Sequence, residues 1–386
     1  SSAASDVYKR QIQNDLTINC YAISDNVNNY TWTIDNINVG TASNLEHAFT
    51  VDGNYNVCLS VSDECASDSF CESVNITVSC GNEEDMWRQY LKMDGISALL
   101  EVCNNIFVGA YEGGLLKINR LNGETTLFTK NNSDLPDNRV SSLLESSSGE
   151  IFVGTYGGGL AKFDGINSTG WTIYNALNSD LPYHDRVSSL LESSSGEIFV
   201  GTLDGGLAKF DGISSTGWTI YHTGNSDLPN NIVYSLLESS SGDIFVGTGG
   251  GLAKFDGVSN TDWTIYNTAN SNLPYNYIPS LLESSNGDIF VGIDEGYVAK
   301  LDDVSNISTI YTANSDLPNN DILSLLENSS GDIFVGTLDG GLAKFDGVNH
   351  TGWTIYHTGN SDLPDNDIRT LLENSSGDIF VGTSEG

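Results

Sequence analysis

Positive charge is what this 386-residue chain has least of: 15 Lys and Arg stand against 51 Asp and Glu, for a formal net charge of −36. A surface so acidic repels phosphate backbones, which argues against nucleic-acid partners. The chain also has no run approaching the ~18 apolar residues of a membrane-spanning helix, so no membrane span is expected. Metal-site spacing is missing too. There is no Cys-x-x-Cys pair, and the five histidines, His47, His184, His222, His350 and His357, form no close ligand set. Recurrent Asp-Gly and Asn-Ser-Asp turns leave calcium as a candidate. However, no Asp-x-(Asp/Asn)-x-(Asp/Asn)-Gly loop with a distant Glu accompanies them, and no other cofactor is expected.

What is present is repetition. Ile-Phe-Val-Gly begins at Ile106, Ile151, Ile198, Ile244, Ile289, Ile333 and Ile379, with spacings of 45, 47, 46, 45, 44 and 46 residues. Such a period suits a four-stranded propeller blade. The second copy predicts strands over 140–145, 150–155, 160–163 and 171–174, joined by Ser146-Ser147-Ser148-Gly149, Tyr156-Gly157-Gly158 and Asp164-Gly165. Ile151, Phe152 and Val153 are apolar on both pleat faces, so neighbouring sheets must cover each side. Radial stacking of blades provides that cover. The fold expected for 86–386 is therefore an all-β propeller, seven-bladed with an incomplete last blade. Trp87-Arg88-Gln89-Tyr90 stands where a fourth strand would join the two strands of the seventh copy.

The region before it has a different composition. Residues 1–11 read as a linker outside any domain, and 81–85 as a polar link. Residues 12–80 hold Cys20, Cys58, Cys65, Cys71 and Cys80 among alternating apolar residues, the pattern of a small β-sandwich with disulfides. Strand parity favours Cys58 with Cys71 across a hairpin centred near Glu64, although six cysteines leave many connectivities open. A Cys80–Cys103 bridge is a further candidate. Oxidation implies export. Trp32 is expected in the core.

Tyr30-Thr31-Trp32-Thr33-Ile34, His47-Ala48-Phe49 and Gly53-Asn54-Tyr55-Asn56-Val57 resemble the PKD family of immunoglobulin-like modules. Leu-Pro followed by Val-Ser-Ser-Leu-Leu-Glu-Ser-Ser-Ser-Gly-Glu-Ile-Phe-Val-Gly-Thr and Gly-Gly-Leu-Ala-Lys-Phe-Asp resembles the two-component regulator propeller repeat, with Phe152 and its equivalents where that family usually has Trp. The second resemblance implies an extracytoplasmic sensing or recognition module, of the kind seen in sensor kinases that detect glycans. A PKD-like domain in front suits a secreted, cell-surface or periplasmic protein.

In a blade of alternating strands, the turns between strands two and three share a face with the links between blades. These segments differ between copies while the framework repeats. Tyr156, Tyr183, His184, Arg186, Asp204, Tyr275, Tyr277, Asp294 and Asp339 are the candidate binding residues, an aromatic, cationic and acidic set suited to a glycan or other small polar ligand. No catalytic set is expected. A propeller enzyme of polysaccharide lyase or hydrolase type is the enzymatic alternative, with His184, Asp185 and Arg186 as the lyase candidates, and a scaffold binding surface proteins is the third reading.

Overall fold

The computed structural model describes residues 8–14, 17–22, 29–35, 37–48, 53–62, 67–76, 93, 95–182, 185–302, 306–311, 321–346 and 353–386. The chain divides into two compact units, Ser1–Met86 and Trp87–Gly386.

In the first unit, β1 (Tyr8–Asn14), β2 (Thr17–Ala22) and β5 (Asn44–Ala48) form one antiparallel sheet. The other has the order β4-β3-β6-β7, from β3 (Asn29–Ile34), β4 (Ile37–Gly40), β6 (Gly53–Ser62) and β7 (Ser67–Ile76). Trp32 is fully buried with Val57 and Leu59, and its indole N–H donates to Ala42 O at 3.0 Å. Alternation along β6 leaves Cys58 on the other face, directly opposite Cys71 in β7, and the two form the expected disulfide. Two expectations need correction. Tyr8–Gln11 pair with Ala22–Asn19, so the described part of 1–11 is a strand rather than an unattached linker. Cys103 is an exposed free thiol, not a disulfide partner.

The second unit repeats one sheet. Blades 1 to 6 begin at Ile96, Val140, Val187, Val233, Ser280 and Ile322, each four-stranded with its strands in chain order. Among the described residues blade 7 has two strands, Ile368–Glu373 and Ile379–Thr383. Trp87–Tyr90, expected to join it, lie outside the described residues. In blade 2 the strands are Val140–Glu145, Ile151–Thr155, Leu160–Phe163 and Thr172–Tyr174.

The second strand is buried at every position, as its two apolar faces require. Phe152 packs with Leu160 and Tyr174 of its own blade and with Ile198, Val200 and Phe210 of blade 3. Burying such a ring contributes roughly 1.5–3 kcal/mol. Next along this strand, Gly154 lets adjacent blades close up. A Cβ there would lie 2.2 Å from Ser142 Oγ and 2.6 Å from Val187 Cγ1 of blade 3.

Polar clasps repeat at the same seams. Glu192 of blade 3 accepts the backbone N–H of Ser147 at 2.6 Å and its hydroxyl at 2.7 Å. Glu238, Glu283, Glu327 and Glu373 do the same for Ser194, Ser240, Ser285 and Ser329. Glu101 of blade 1 clasps Ser375 of blade 7 at 2.6 and 2.9 Å, so the last sheet meets the first by the contact used elsewhere. The ring closes with seven sheets among the described residues.

The repeated tryptophans belong to this framework. Trp171 stacks on Phe163 at 4.0 Å, is 8% exposed, and donates its indole N–H to Asn167 O. The Asn-Ser-Asp-Leu-Pro link is likewise structural. Asn178 Oδ1 accepts the Asn175 N–H, Asp180 accepts the Gly217 N–H of blade 3, and Leu181 is buried.

Candidate functional site

Each second-to-third-strand turn is fastened to the start of its own blade by one backbone bond. The N–H groups of Tyr111, Tyr156, Leu203, Gly249, Asp294, Leu338 and Ser384 donate to the carbonyls of Gly95, Arg139, Arg186, Ile232, Tyr277, Asp321 and Asp367. Two residues further along the first strands stand Ser97, Ser141, Ser188, Tyr234, Pro279, Leu323 and Arg369. Ser141 and Ser188 donate to the carbonyls of Val187 and Val233 in the following blades, which places this set beside the next blade's first strand. The backbone is thus the same in every blade, while the side chains it presents around this mouth differ.

One arc, from blade 7 through blade 3, is aromatic and cationic. The Arg139 and Arg186 guanidinium carbons lie 5.2 and 5.0 Å from the Tyr156 ring centroid, and Tyr111 lies 5.9 Å from Tyr156. Asp137 accepts from Arg139 at 2.9 and 3.0 Å, which holds the Asp137 carboxyl below its usual range and raises Arg139. Arg186 meets Asp204 at 3.4 Å, both side chains being about two-fifths exposed. At the seam between blades 7 and 1, Arg369 bonds Asp367 at 2.7 Å and Ser384 at 3.0 Å. A cleft of ≈ 340 Å³ opens there, lined by Met93, Gly95, Tyr111, Glu112, Gly113, Arg369 and Ser384.

The other arc, blades 4 to 6, is aromatic and acidic. Tyr234 and Tyr277 rings are 4.4 Å apart. Burial pushes the Tyr277 hydroxyl up to about 12, with Tyr234, Asp321 and Asp294 adding to it. A shared hydrogen bond with Asp321, then burial and the Asp321 charge, push Asp294 up to about 6. The Glu295 N–H donates to Asp294 Oδ1 at 3.0 Å and to Asp321 Oδ1 at 3.1 Å, tying the two turns together. Burial pushes the Tyr234 hydroxyl up, with Tyr156 of the first arc adding to it.

Of the residues expected at the site, Tyr156, Arg186 and Asp204 come together in the first arc, and Tyr277 and Asp294 in the second. Tyr275 stands aside, 41% exposed and 5.8 Å from Tyr297. Asp339 occupies an exposed turn at φ 62°. Tyr183 and His184 lie outside the described residues. Tyr111, Tyr234 and Arg369 were not among the expected residues. Aligning the repeats column by column would have found them: Tyr111 stands in the column of Tyr156, and Tyr234 and Arg369 stand in one that blades 1 to 3 fill with serine. Among the described residues there is no group of three or more His, Cys, Asp or Glu able to hold a metal. His222 and His357 accept the N–H groups of Gly224 and Gly359 at 3.0 Å in equivalent turns, a structural role. A second cleft of ≈ 220 Å³, lined by Glu197, Lys209 and Asp211 among others, is built from framework residues that recur in neighbouring blades.

By sequence, the PKD domain profile matches residues 7–78, and the two component regulator propeller profile matches 134–157 and 227–250. No curated protein matches the chain. Among solved structures, the extracellular domain of the putative hybrid two component system BT4673 from B. thetaiotaomicron is 22% identical with a TM-score of 0.58, over 76% of this chain and 37% of that one. The extracellular domain of BT3049 from the same organism is 15% identical with a TM-score of 0.54, over 98% of this chain and 53% of that one. PorZ, an essential surface component of the type-IX secretion system of Porphyromonas gingivalis, is 15% identical with a TM-score of 0.59, over 98% of this chain and 56% of that one. The chain therefore spans between about a third and just over half of these proteins, and the likeness establishes the shared architecture. This chain carries an N-terminal PKD domain followed by a propeller of two-component regulator propeller repeats.

Proposed function

We propose that the chain is a non-catalytic extracytoplasmic recognition module, and that its propeller mouth binds a small polar ligand, a glycan foremost. The observation that carries this reading is the contrast between a framework repeated almost residue for residue and a mouth whose fastened positions read Tyr111, Tyr156, Asp294 on one ring and Arg139, Arg186, Tyr277, Asp321 on the other. Nothing in the fold requires those side chains to differ. Aromatic rings beside guanidinium and carboxylate groups suit a hydroxyl-rich ligand. The Cys58–Cys71 disulfide supports an exported protein, and the three solved structures described above are two extracellular domains and a bacterial surface component.

Titration calorimetry of the full chain against a panel of neutral and acidic oligosaccharides tests the proposal. Saturable binding that Tyr156→Ala or Tyr277→Ala weakens at least about tenfold, the scale of one lost aromatic contact of ~1.4 kcal/mol, supports it. Binding that neither substitution changes refutes the mouth as the site. Capture of a surface protein, with no saccharide bound, would move the reading to a scaffold. Turnover of a polysaccharide would move it to an enzyme.

A further inference from the structure

Resting on the mouth reading above, we infer that the ligand is a saccharide bearing an oxyanion, a uronate carboxylate or a sulfate ester, received between Arg139 and Arg186 with its ring in the seam cleft beside Tyr111. The distribution of cations is the starting point. Lys162, Lys209, Lys254, Lys300 and Lys344 repeat in the third strands and pair within their own blades with Glu150, Glu197, Asp243, Asp288 and Asp332. They are framework. The chain has only six arginines, and three of them, Arg139, Arg186 and Arg369, stand at mouth positions. The equivalents of Arg139 and Arg186 elsewhere are Gly95, Ile232, Tyr277, Asp321 and Asp367, so the fold does not need a cation there.

Geometry then favours an anion at that place. Both guanidinium groups approach the one Tyr156 ring, at 5.2 and 5.0 Å. Arg139 commits Nε and Nη2 to Asp137, which fixes its plane and leaves Nη1 donors uncommitted among the described residues. Among the described residues Arg186 makes one long side-chain hydrogen bond, 3.4 Å from Nη1 to Asp204, and keeps Nε and Nη2. Room for the Arg139 group is built in, because a Cβ on Gly157 would lie 2.5 Å from its Nη2. The Nε–Nη2 edge of Arg186 matches an oxyanion in two-pronged fashion, and Arg139 Nη1 adds a single donor. Tyr111, 41% exposed, joins this pair to the ≈ 340 Å³ cleft, and Arg369, held by Asp367 and Ser384, also lines it. That volume is at the lower end of small-ligand sites, roughly 300–1,000 Å³.

The protein's net charge of −36 opposes an approaching anion. At physiological salt, however, the screening length is about 8 Å, so distant carboxylates are damped while contacts within the site are not. The acidic surface thus works as a filter. Each guanidinium here also faces a carboxylate, Asp137, Asp204 or Asp367, so an anion is held by directed N–H donors rather than by net local charge.

The test uses the full chain in about 0.15 M salt, a screening length of about 8 Å, with three probes: trigalacturonate, its uncharged methyl ester, and a sulfated disaccharide. The inference expects at least one acidic probe to bind, with trigalacturonate identifying a carboxylate ligand and the disaccharide a sulfate ligand. Loss of one charge-assisted contact, in the methyl ester or in Arg186→Gln, is expected to weaken binding about tenfold to hundredfold. Arg139→Gln repeats the test on the pinned partner, with thermal melting as the check that each variant is folded. Equal binding of ester and acid, or unchanged binding in folded Arg186→Gln and Arg139→Gln, overturns the oxyanion inference. If Tyr156→Ala abolishes that same binding, the mouth reading survives. Binding of none of these probes and of no neutral saccharide overturns both.

Discussion

Replacing Asp294 by Asn should stabilise the protein above pH 6 and leave it unchanged near pH 4. Asp294 and Asp321 come from adjacent blades and share a hydrogen bond that needs a proton between them, which pushes Asp294 from 3.8 up to about 6. Its pKa is higher in the folded protein than in the unfolded chain. The associated stability is therefore fully present below about pH 4, where both states are protonated, and is lost as pH rises through about 6. A shift of about two units corresponds to ~3 kcal/mol at most. Since Asp294 is only half-buried, solvent screening brings this down to about 1–2 kcal/mol. Asparagine can donate to Asp321 at any pH and removes the like-charge cost. Urea denaturation of both proteins at pH 4.5 and 7.5 measures the difference, and the large global charge largely cancels in the comparison. The expected result is a gain of about 1–2 kcal/mol at pH 7.5 and a change within ~0.5 kcal/mol at pH 4.5. A neutral or destabilising effect at pH 7.5, or one equal at both pH values, would refute the shared proton.

Ser194→Ala removes the hydroxyl half of the Glu238 clasp and should cost about 1 kcal/mol in chemical denaturation; no loss would show these exposed clasps to be decorative. Breaking the Cys58–Cys71 bridge, which closes a hairpin of sequence separation 13, should cost ~3 kcal/mol. The double Ser variant should lower hydrogen-exchange protection in Gly53–Ser62 and Ser67–Ile76 while the propeller strands keep theirs. Protection lost throughout would contradict separate units. Cys103, exposed and free, should be alkylated to completion in the native, unreduced protein, whereas a blocked thiol would restore the bridge to Cys80.

The framework was legible because it repeats and because its chemistry is local. Ile151, Phe152 and Val153 announce a strand covered on both faces, and glycines mark the turns, so strand order and the number of repeats followed from the sequence. The Cys58–Cys71 pair was legible for a related reason, since parity alone puts both on the outer face of one hairpin. Tyr8–Asn14 was missed because its only large apolar residues are Tyr8 and Ile12, too few to signal a strand whose order comes from pairing with β2. At the mouth, the variable turns pointed to Tyr156, Arg186, Tyr277 and Asp294. Tyr234 and Arg369 escaped notice because they lie inside first strands, at a column filled by serine in blades 1 to 3. Which turn residues meet, as Tyr277 meets Tyr234 and Tyr275 meets Tyr297, depends on blade geometry that sequence spacing does not encode.

Radial closure is tested most directly where the first and seventh sheets meet. Ile106, 2% exposed, packs in the cluster that includes Phe380 and Leu372 of blade 7, as Ile198 packs on Phe152 between blades 2 and 3. A double-mutant cycle of Ile106→Ala and Phe380→Ala, read by equilibrium denaturation, isolates that contact. A closed ring predicts a coupling of about 1 kcal/mol, similar to that of the Phe152 and Ile198 pair, whereas additivity within ~0.3 kcal/mol would mean that the two sheets do not touch.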